Sequence, residues 1–320
     1  MSETFPSDVL EDTAGLLSIG DWLRWTWSRF NEHELFFGHG SDNSRDEACH
    51  LVLQALELPW NLDPVFYSSR VTSVEARRLA TLVRRRIEHR VPVSYLLNKA
   101  WFCGFCFYVD ERVLIPRSPI AELIDDQFYP WLEQTPARVL DLCAGSGCIG
   151  LACAMTWPQA QVDLLDISPS ALDVARINMD RMMLWDRVRA LQSDLLAALY
   201  EEEERPRYQL LVSNPPYVDA EDMDDLPEEY QKEPQLGLAG GSDGLDMVRP
   251  ILSQARDFLT DDGILVLEVG NSRFALEEAF PDVPFVWPEF KRGGQGVCVL
   301  SARVLDEYRL SFSRTSDRAG

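Results

Sequence analysis

Basic residues are scarce in this chain: 30 Lys and Arg stand against 52 Asp and Glu, a formal net charge of −22. Such a surface repels a phosphate backbone, because nucleic-acid binding draws much of its affinity from Lys and Arg neutralising phosphates. It attracts and steers a basic protein instead. Long apolar runs are missing as well. Nothing approaches the ~18 consecutive apolar residues that span a bilayer, although 46% of the chain is apolar, an ordinary share for a globular core. The start, Met1-Ser2-Glu3-Thr4-Phe5-Pro6, lacks the basic-then-apolar pattern of a secretion signal. The seven cysteines are an odd number scattered through apolar segments, the usage of reduced thiols in a cytoplasmic protein. One close pair, Cys103 and Cys106, has zinc-like spacing, but no second pair and no nearby His completes a tetrahedral site, so no metal is expected. The four histidines, His33, His39, His50 and His89, all fall early in the chain and are given structural roles.

What is present divides into two regimes. Residues 1–96 read as a helical domain. Ala48, Leu51, Val52, Ala55 and Leu56 recur with the period of one buried helix face. A second helix opens at Thr72 with Glu75 three residues on, a capping-box spacing. It turns Leu79, Leu82, Val83 and Ile87 inward, with Arg84, Arg85 and Arg86 expected on its solvated face. Trp22, Trp25 and Trp27 are read as packing. Residues 97–115 alternate around Gly104 and around Val109 to Arg112, which predicts a β-hairpin linker. From 116 to 310 strands and helices alternate, the signature of an α/β domain with a largely parallel sheet. Its strands are expected at Val139–Leu142, Val162–Leu165, Tyr208–Ser213, Gly263–Val269 and Gly296–Leu305. Residues 311–320 read as a frayed tail.

Two turns carry the chemistry. Asn214-Pro215-Pro216-Tyr217 follows an apolar strand, and two consecutive prolines cannot continue a ladder because neither has an N–H. The chain is forced into a rigid extended turn that leaves the Asn214 side-chain oxygen and the flanking carbonyls outward, fixed acceptors able to hold an –NH2 group by both hydrogens. The group held is a planar amino or amide nitrogen. The other turn, from Asp141 to Gly150, places Gly145, Gly147 and Gly150 between a strand and a helix, where glycine permits positive φ and close approach of a ligand. Asp141 at the strand end suits a cationic amino-acid moiety. Asp166, ending the next strand, suits ribose hydroxyls, and Asp194 after a third suits an adenine amino group. Each acid has the alternative of capping a helix.

This succession resembles the class I S-adenosylmethionine-dependent methyltransferases. Leu114-Ile115-Pro116-Arg117, Glu233-Pro234, Gly240-Gly241 and Asp243-Gly244-Leu245 are further similar to the HemK family of protein-glutamine N5-methyltransferases. The resemblance implies a Rossmann-like, seven-stranded, largely parallel sheet. It implies a pocket for S-adenosylmethionine at Asp141, Ala144, Gly145, Ser146, Gly147, Gly150, Asp166, Ile167, Asp194, Leu195 and Asn214, and a substrate clamp at Asn214, Pro215, Pro216 and Tyr217. Ser118-Pro119-Ile120 departs from the pattern of the release-factor branch, which carries an acid there. That variant, with Phe37 to Gly40, Glu268 to Ser272 and Gly293 to Val297, is similar to the branch acting on large-subunit ribosomal protein L-three. The implied partner is that basic protein, read by the helical domain. Two enzymatic alternatives remain: release-factor glutamine methylation, and N6-adenine methylation, against which the charge of −22 weighs. A non-enzymatic assembly factor would not require an intact glycine turn and clamp together.

Overall fold

The computed structural model describes residues 13–316; the extreme N-terminus and the end of the expected tail, 317–320, lie outside them. The chain divides into two units, Met1–Lys99 with Pro227–Lys232, and Ala100–Leu226 with Glu233–Gly320.

In the first unit, local signals set the helix boundaries. Ser18 and Asp21 form a capping box before helix Ile19–Glu32, and Thr72 and Glu75 form the expected one before Ser73–Glu88. The Asn43 side chain accepts from the N–H of Asp46 at the start of Ser44–Ala55. Each cap satisfies an N–H that the helix leaves unpaired. Trp22, Phe30, Leu51, Leu79 and Val83 meet in the core. Trp22 and Trp25 pack edge to face, while Trp27 is 42% exposed at the rim. The helix Ser73–Glu88 corrects one expectation. Arg86 is not on the solvated face but 0% exposed, because Nε donates to Glu47 Oε1 (2.7 Å), Nη1 to Glu229 Oε1 (3.0 Å) and Nη2 to the Phe36 carbonyl (2.7 Å). A guanidinium can be buried only when paired and hydrogen-bonded in this way. Glu229 comes from Pro227–Lys232, the segment that joins this unit from far along the chain.

The second unit begins with a short hairpin, β1 (Ala100–Phe102) and β2 (Phe105–Phe107), closed by Cys103 and Gly104 with φ of 48° and 76°. Positive φ at both turn residues matches the twist of the paired strands. The stretch around Asp110 is a turn, with Arg112 held on the Asp110 carboxylate. The main sheet comprises β3 (Arg138–Leu142), β4 (Gln161–Asp166), β5 (Val188–Gln192), β6 (Tyr208–Ser213), β7 (Leu259–Glu268) and β8 (Val297–Ser301). Its order is β5-β4-β3-β6-β7-β8, with only β8 antiparallel. Alternate residues serve opposite cores: Leu210, Val212, Ile264 and Val266 face one, Leu211, Leu265 and Leu267 the other. Both faces are covered, which is why these strands read as continuous apolar runs.

Three details differ from expectation. The sheet has six strands among the described residues. The resemblance implied seven; between β7 and β8, Val286 makes only a single antiparallel bridge with Val299, since Pro281, Pro284 and Pro288 supply no N–H for a longer ladder. The last strand stops at Ser301, whose side chain caps helix Ala302–Glu307 by accepting from the Val304 N–H. The tail to residue 316 is helical, Arg309–Ser316, and Phe312 is fully buried beneath the sheet.

Candidate functional site

The chain runs outward from β3 through β4 to β5, then returns to β6 on the other side of β3. The loops leaving β3 and β6 therefore diverge, which opens a crevice at the carboxyl ends of the strands. Leu142 pairs with Ser213 and Leu165, and Ser213 with Leu267, so four strand ends lie at one level. Ser213 Oγ donates to the Leu142 carbonyl (2.7 Å) and ties the two loop origins together.

The glycine turn is braced from three sides. Asp166 Oδ2 accepts the N–H of Gly145 and Oδ1 that of Ser168, both at 2.8 Å. Asp141 Oδ2 accepts the N–H of Gly150 (2.8 Å). The buried amide of Asn178 donates to the Ser146 and Tyr108 carbonyls, each at 3.0 Å. Gly150 is required by packing, since a Cβ would come within 2.3 Å of Leu164. Gly145 differs: its φ is +55° and a Cβ would meet nothing within 4 Å, so its open side is where a ligand can approach the backbone.

Each predicted acid is accounted for. Asp141 is 1% exposed; burial, with the nearby charge of Asp166, pushes its pKa up to about 7. Its Oδ1 is buried without a hydrogen-bond partner. An orphaned carboxylate oxygen is costly unless something completes it, and an ammonium group would do so. Asp166, also met by the Ile167 N–H, is acceptor-only when ionised and suits a ligand hydroxyl; burial raises its pKa as well. Asp194 is exposed. The cap of the following turn is taken by Ser193, whose Oγ accepts the Ala198 N–H. Ile167, 49% exposed, and half-buried Leu195 supply apolar surface beside these acids. The acceptor set fits a ligand with an ammonium, a diol and a flat amino-bearing ring.

On the β6 side, Asn214 is half-buried and Pro215 buried. Among the described residues neither the Asn214 side chain nor the Pro215 carbonyl has a protein partner. The turn is held from behind. Ser272 Oγ donates to the Tyr217 carbonyl (2.8 Å), and Tyr217 Oη donates to Glu268 Oε1 (3.0 Å). A Cβ at Gly240 would lie 2.7 Å from Tyr217 Cα, and one at Gly244 2.4 Å from the Tyr217 carbonyl oxygen, which gives the Gly240 to Leu245 motif its physical reason. Arg117 makes a two-pronged pair with fully buried Glu233 (2.6 and 2.8 Å), and Glu233 also accepts the Ile115 N–H. The two motifs around Arg117 and Glu233 are one clamp. Glu268, Gly270 and Asn178 belong to this scaffold; the Glu268 to Ser272 motif is noted in the sequence without a role and Asn178 is not noted, because a strand-end acid and a mid-helix asparagine look the same whether or not a distant turn needs them.

Residues 127–229, which hold the glycine turn and the Asn-Pro-Pro-Tyr turn, match the methyltransferase small domain model, and relatives matched over nine-tenths of the chain make the class a methyltransferase. The chain is 45% identical over 301 residues to the ribosomal protein uL3 glutamine methyltransferase of Francisella tularensis subsp. tularensis, covering 93% of this chain and 95% of the relative. It is likewise 45% identical over 290 residues to the enzyme of that name from Neisseria meningitidis serogroup A, covering 90% and 94%. The chain belongs to the family of ribosomal protein uL3 glutamine methyltransferases. The hMettl16 catalytic domain, solved with a MAT2A 3′UTR hairpin, is 16% identical with a TM-score of 0.47, covering 72% of this chain and 82% of that one, too distant to bear on substrate.

Proposed function

We propose that this protein transfers the methyl group of S-adenosylmethionine to the side-chain amide nitrogen of a glutamine in ribosomal protein uL3, the large-subunit protein L-three. The observation that carries this reading is the partnerless pair of acceptors, the Asn214 side chain and the Pro215 carbonyl, at a switch-point crevice beside an open glycine turn. Asp141 would hold the amino-acid ammonium, Asp166 the ribose hydroxyls and Asp194 the adenine amino group, with Ile167 and Leu195 against the ring. When bound, the donor supplies a sulfonium methyl, an electrophile needing no metal.

The remaining work falls to the protein. An amide nitrogen is a poor nucleophile because its lone pair is delocalised into the carbonyl. With one N–H donated to Asn214 and the other to the Pro215 carbonyl, the nitrogen is oriented with its lone pair outward. Orientation of this kind is worth up to roughly 7–11 kcal/mol of a barrier. The same acceptors favour positive charge growing on nitrogen and cost no reorganisation, since Pro215 and Pro216 fix the backbone. Tyr217 packs against the flat amide. The methylated amide cation sheds its proton readily, so no strong base is needed.

The second unit carries 36 acidic and 18 basic side chains, whereas the first, with Pro227–Lys232, carries 16 and 12. The acidic excess therefore lies with the transferring unit, where it favours a basic protein over a phosphate backbone. We assign substrate reading to the first unit and a cytoplasmic location to the enzyme, in keeping with a ribosomal-protein target. The test is incubation with labelled S-adenosylmethionine and, separately, purified uL3, a release factor, and adenine-containing DNA or RNA, followed by mass spectrometry. Methyl on a uL3 glutamine is expected; methyl on the release factor or on adenine alone overturns the reading.

A further inference from the structure

We propose that Glu268 is a positioning residue for methyl transfer, acting through Tyr217 with Ser118 as its second support; this rests on the reading of Asn214–Tyr217 as the amide clamp. Glu268 ends β7 one residue beyond the partner of Ser213 and is 4% exposed. Each of its carboxylate oxygens takes one hydroxyl: Tyr217 Oη donates to Oε1 at 3.0 Å and Ser118 Oγ to Oε2 at 2.5 Å. Ser118 Oγ also accepts the Ile120 N–H (3.1 Å), so its single hydrogen is directed at Glu268. Two hydroxyl donors, one on each oxygen, favour the carboxylate form of the group. Its pKa lies above the ordinary carboxylate value, because burial outweighs the pull of the two hydroxyls and the Arg117 charge the other way.

The phenol is thereby fixed at its tip. Its flank is fixed as well, because Gly270 has φ +49° and a Cβ there would come within 2.3 Å of Tyr217 Cε2. A ring pinned at tip and flank holds one orientation, and in the proposed arrangement it turns one face to the bound amide. That face attracts positive charge, and a phenol donating to a buried carboxylate presents a more electron-rich face. Nitrogen is near neutral in the bound amide and gains charge only as the methyl arrives. The contribution therefore appears in kcat and not in substrate binding. Ser118 is also where the sequence leaves the release-factor pattern, which makes this support a feature of the present branch.

The experiment measures methylation of purified uL3 by the full chain and by Glu268→Gln, Tyr217→Phe and the double variant, beside calorimetric titration of S-adenosylmethionine. Each single change is expected to lower kcat about tenfold, the scale of one hydrogen bond to a charged group. KM for uL3 and cofactor affinity should stay within about twofold by the same reasoning, and the double variant should be no slower than the slower single. Should Glu268→Gln not fold, Ser118→Ala and Tyr217→Phe, which keep the carboxylate, carry the same expectation of lower kcat at constant KM. Wild-type kcat in the single variants, losses that multiply in the double, or a change confined to KM overturns the role of Glu268. Wild-type protein that leaves uL3 unmethylated overturns the functional reading as a whole.

Discussion

Replacing Asp141 with asparagine is expected to stabilise the ligand-free protein while removing its hold on the methyl donor. Burial lifts the Asp141 pKa from the ordinary 3.8 to about 7, and at about 1.36 kcal/mol per unit that is about 4 kcal/mol against the charged form. The sign follows from which state holds the proton. Between about pH 4 and 7 the folded protein keeps a proton that the unfolded chain has lost, so this group's contribution to stability falls as pH rises through that window and is fully lost above it. The Asp141→Asn variant has no such slope and can still accept the Gly150 N–H. Its advantage in urea unfolding should grow from near zero around pH 4 to as much as about 4 kcal/mol near pH 8. Binding runs the other way. A cation completing Oδ1 needs the ionised carboxyl, so in the wild type affinity should weaken up to about tenfold per unit below pH 7, with a proton released on binding. Calorimetry in two buffers of different ionisation enthalpy reads that proton directly. Equal stability of the two proteins near pH 8, or binding that is flat from about pH 6 to 8 with no proton released, would refute the assignment.

Asn214→Ala should keep fold and cofactor affinity and lower turnover by roughly 10²-fold or more, the scale of a lost preorganised contact; a labelled-methyl assay showing undiminished turnover removes the clamp role. Arg86→Met should destabilise the protein by about 3–5 kcal/mol because Glu47 and Glu229 lose their shared cation, with much of the loss recovered when both are also changed to Gln; denaturant unfolding measures each step. Charge reversal at Asp224 and Asp225, both exposed, should slow capture of uL3 in low salt and leave it unchanged in high salt, as stopped-flow association rates would show.

Much of the transferring unit was legible because its signals are local. Paired prolines after an apolar strand, and glycines spaced between a strand and a helix, dictate backbone shape without help from elsewhere. Arg86 shows where that ends. Its place among Arg84 and Arg85 on an otherwise polar face reads as solvated, and only two acids, 39 and 143 residues away, justify its burial. Glu229 illustrates the same point from the other side. Within a segment of ten acidic residues from 218 to 246 it looks like one more steering charge, yet it is buried. Burial pushes its carboxyl up, but Arg86 and the Phe36 N–H more than offset this and hold it below the usual range. The role of Glu268 stayed hidden for a similar reason, since its two hydroxyl partners come from positions 118 and 217.

The passage of Pro227–Lys232 into the first unit has a consequence for how the protein is made. Chain synthesis delivers Arg86 with Glu47 already available, but Glu229 follows 143 residues later. At translation rates of about 5–20 residues per second, the first unit waits on the order of ten to thirty seconds for its second carboxylate. Its polar core can close only after β3 to β6 and the Asn214–Tyr217 turn have been made. A fragment ending at Lys99 is thus an unfinished object, and the helical unit is completed by a segment that follows the clamp in the chain.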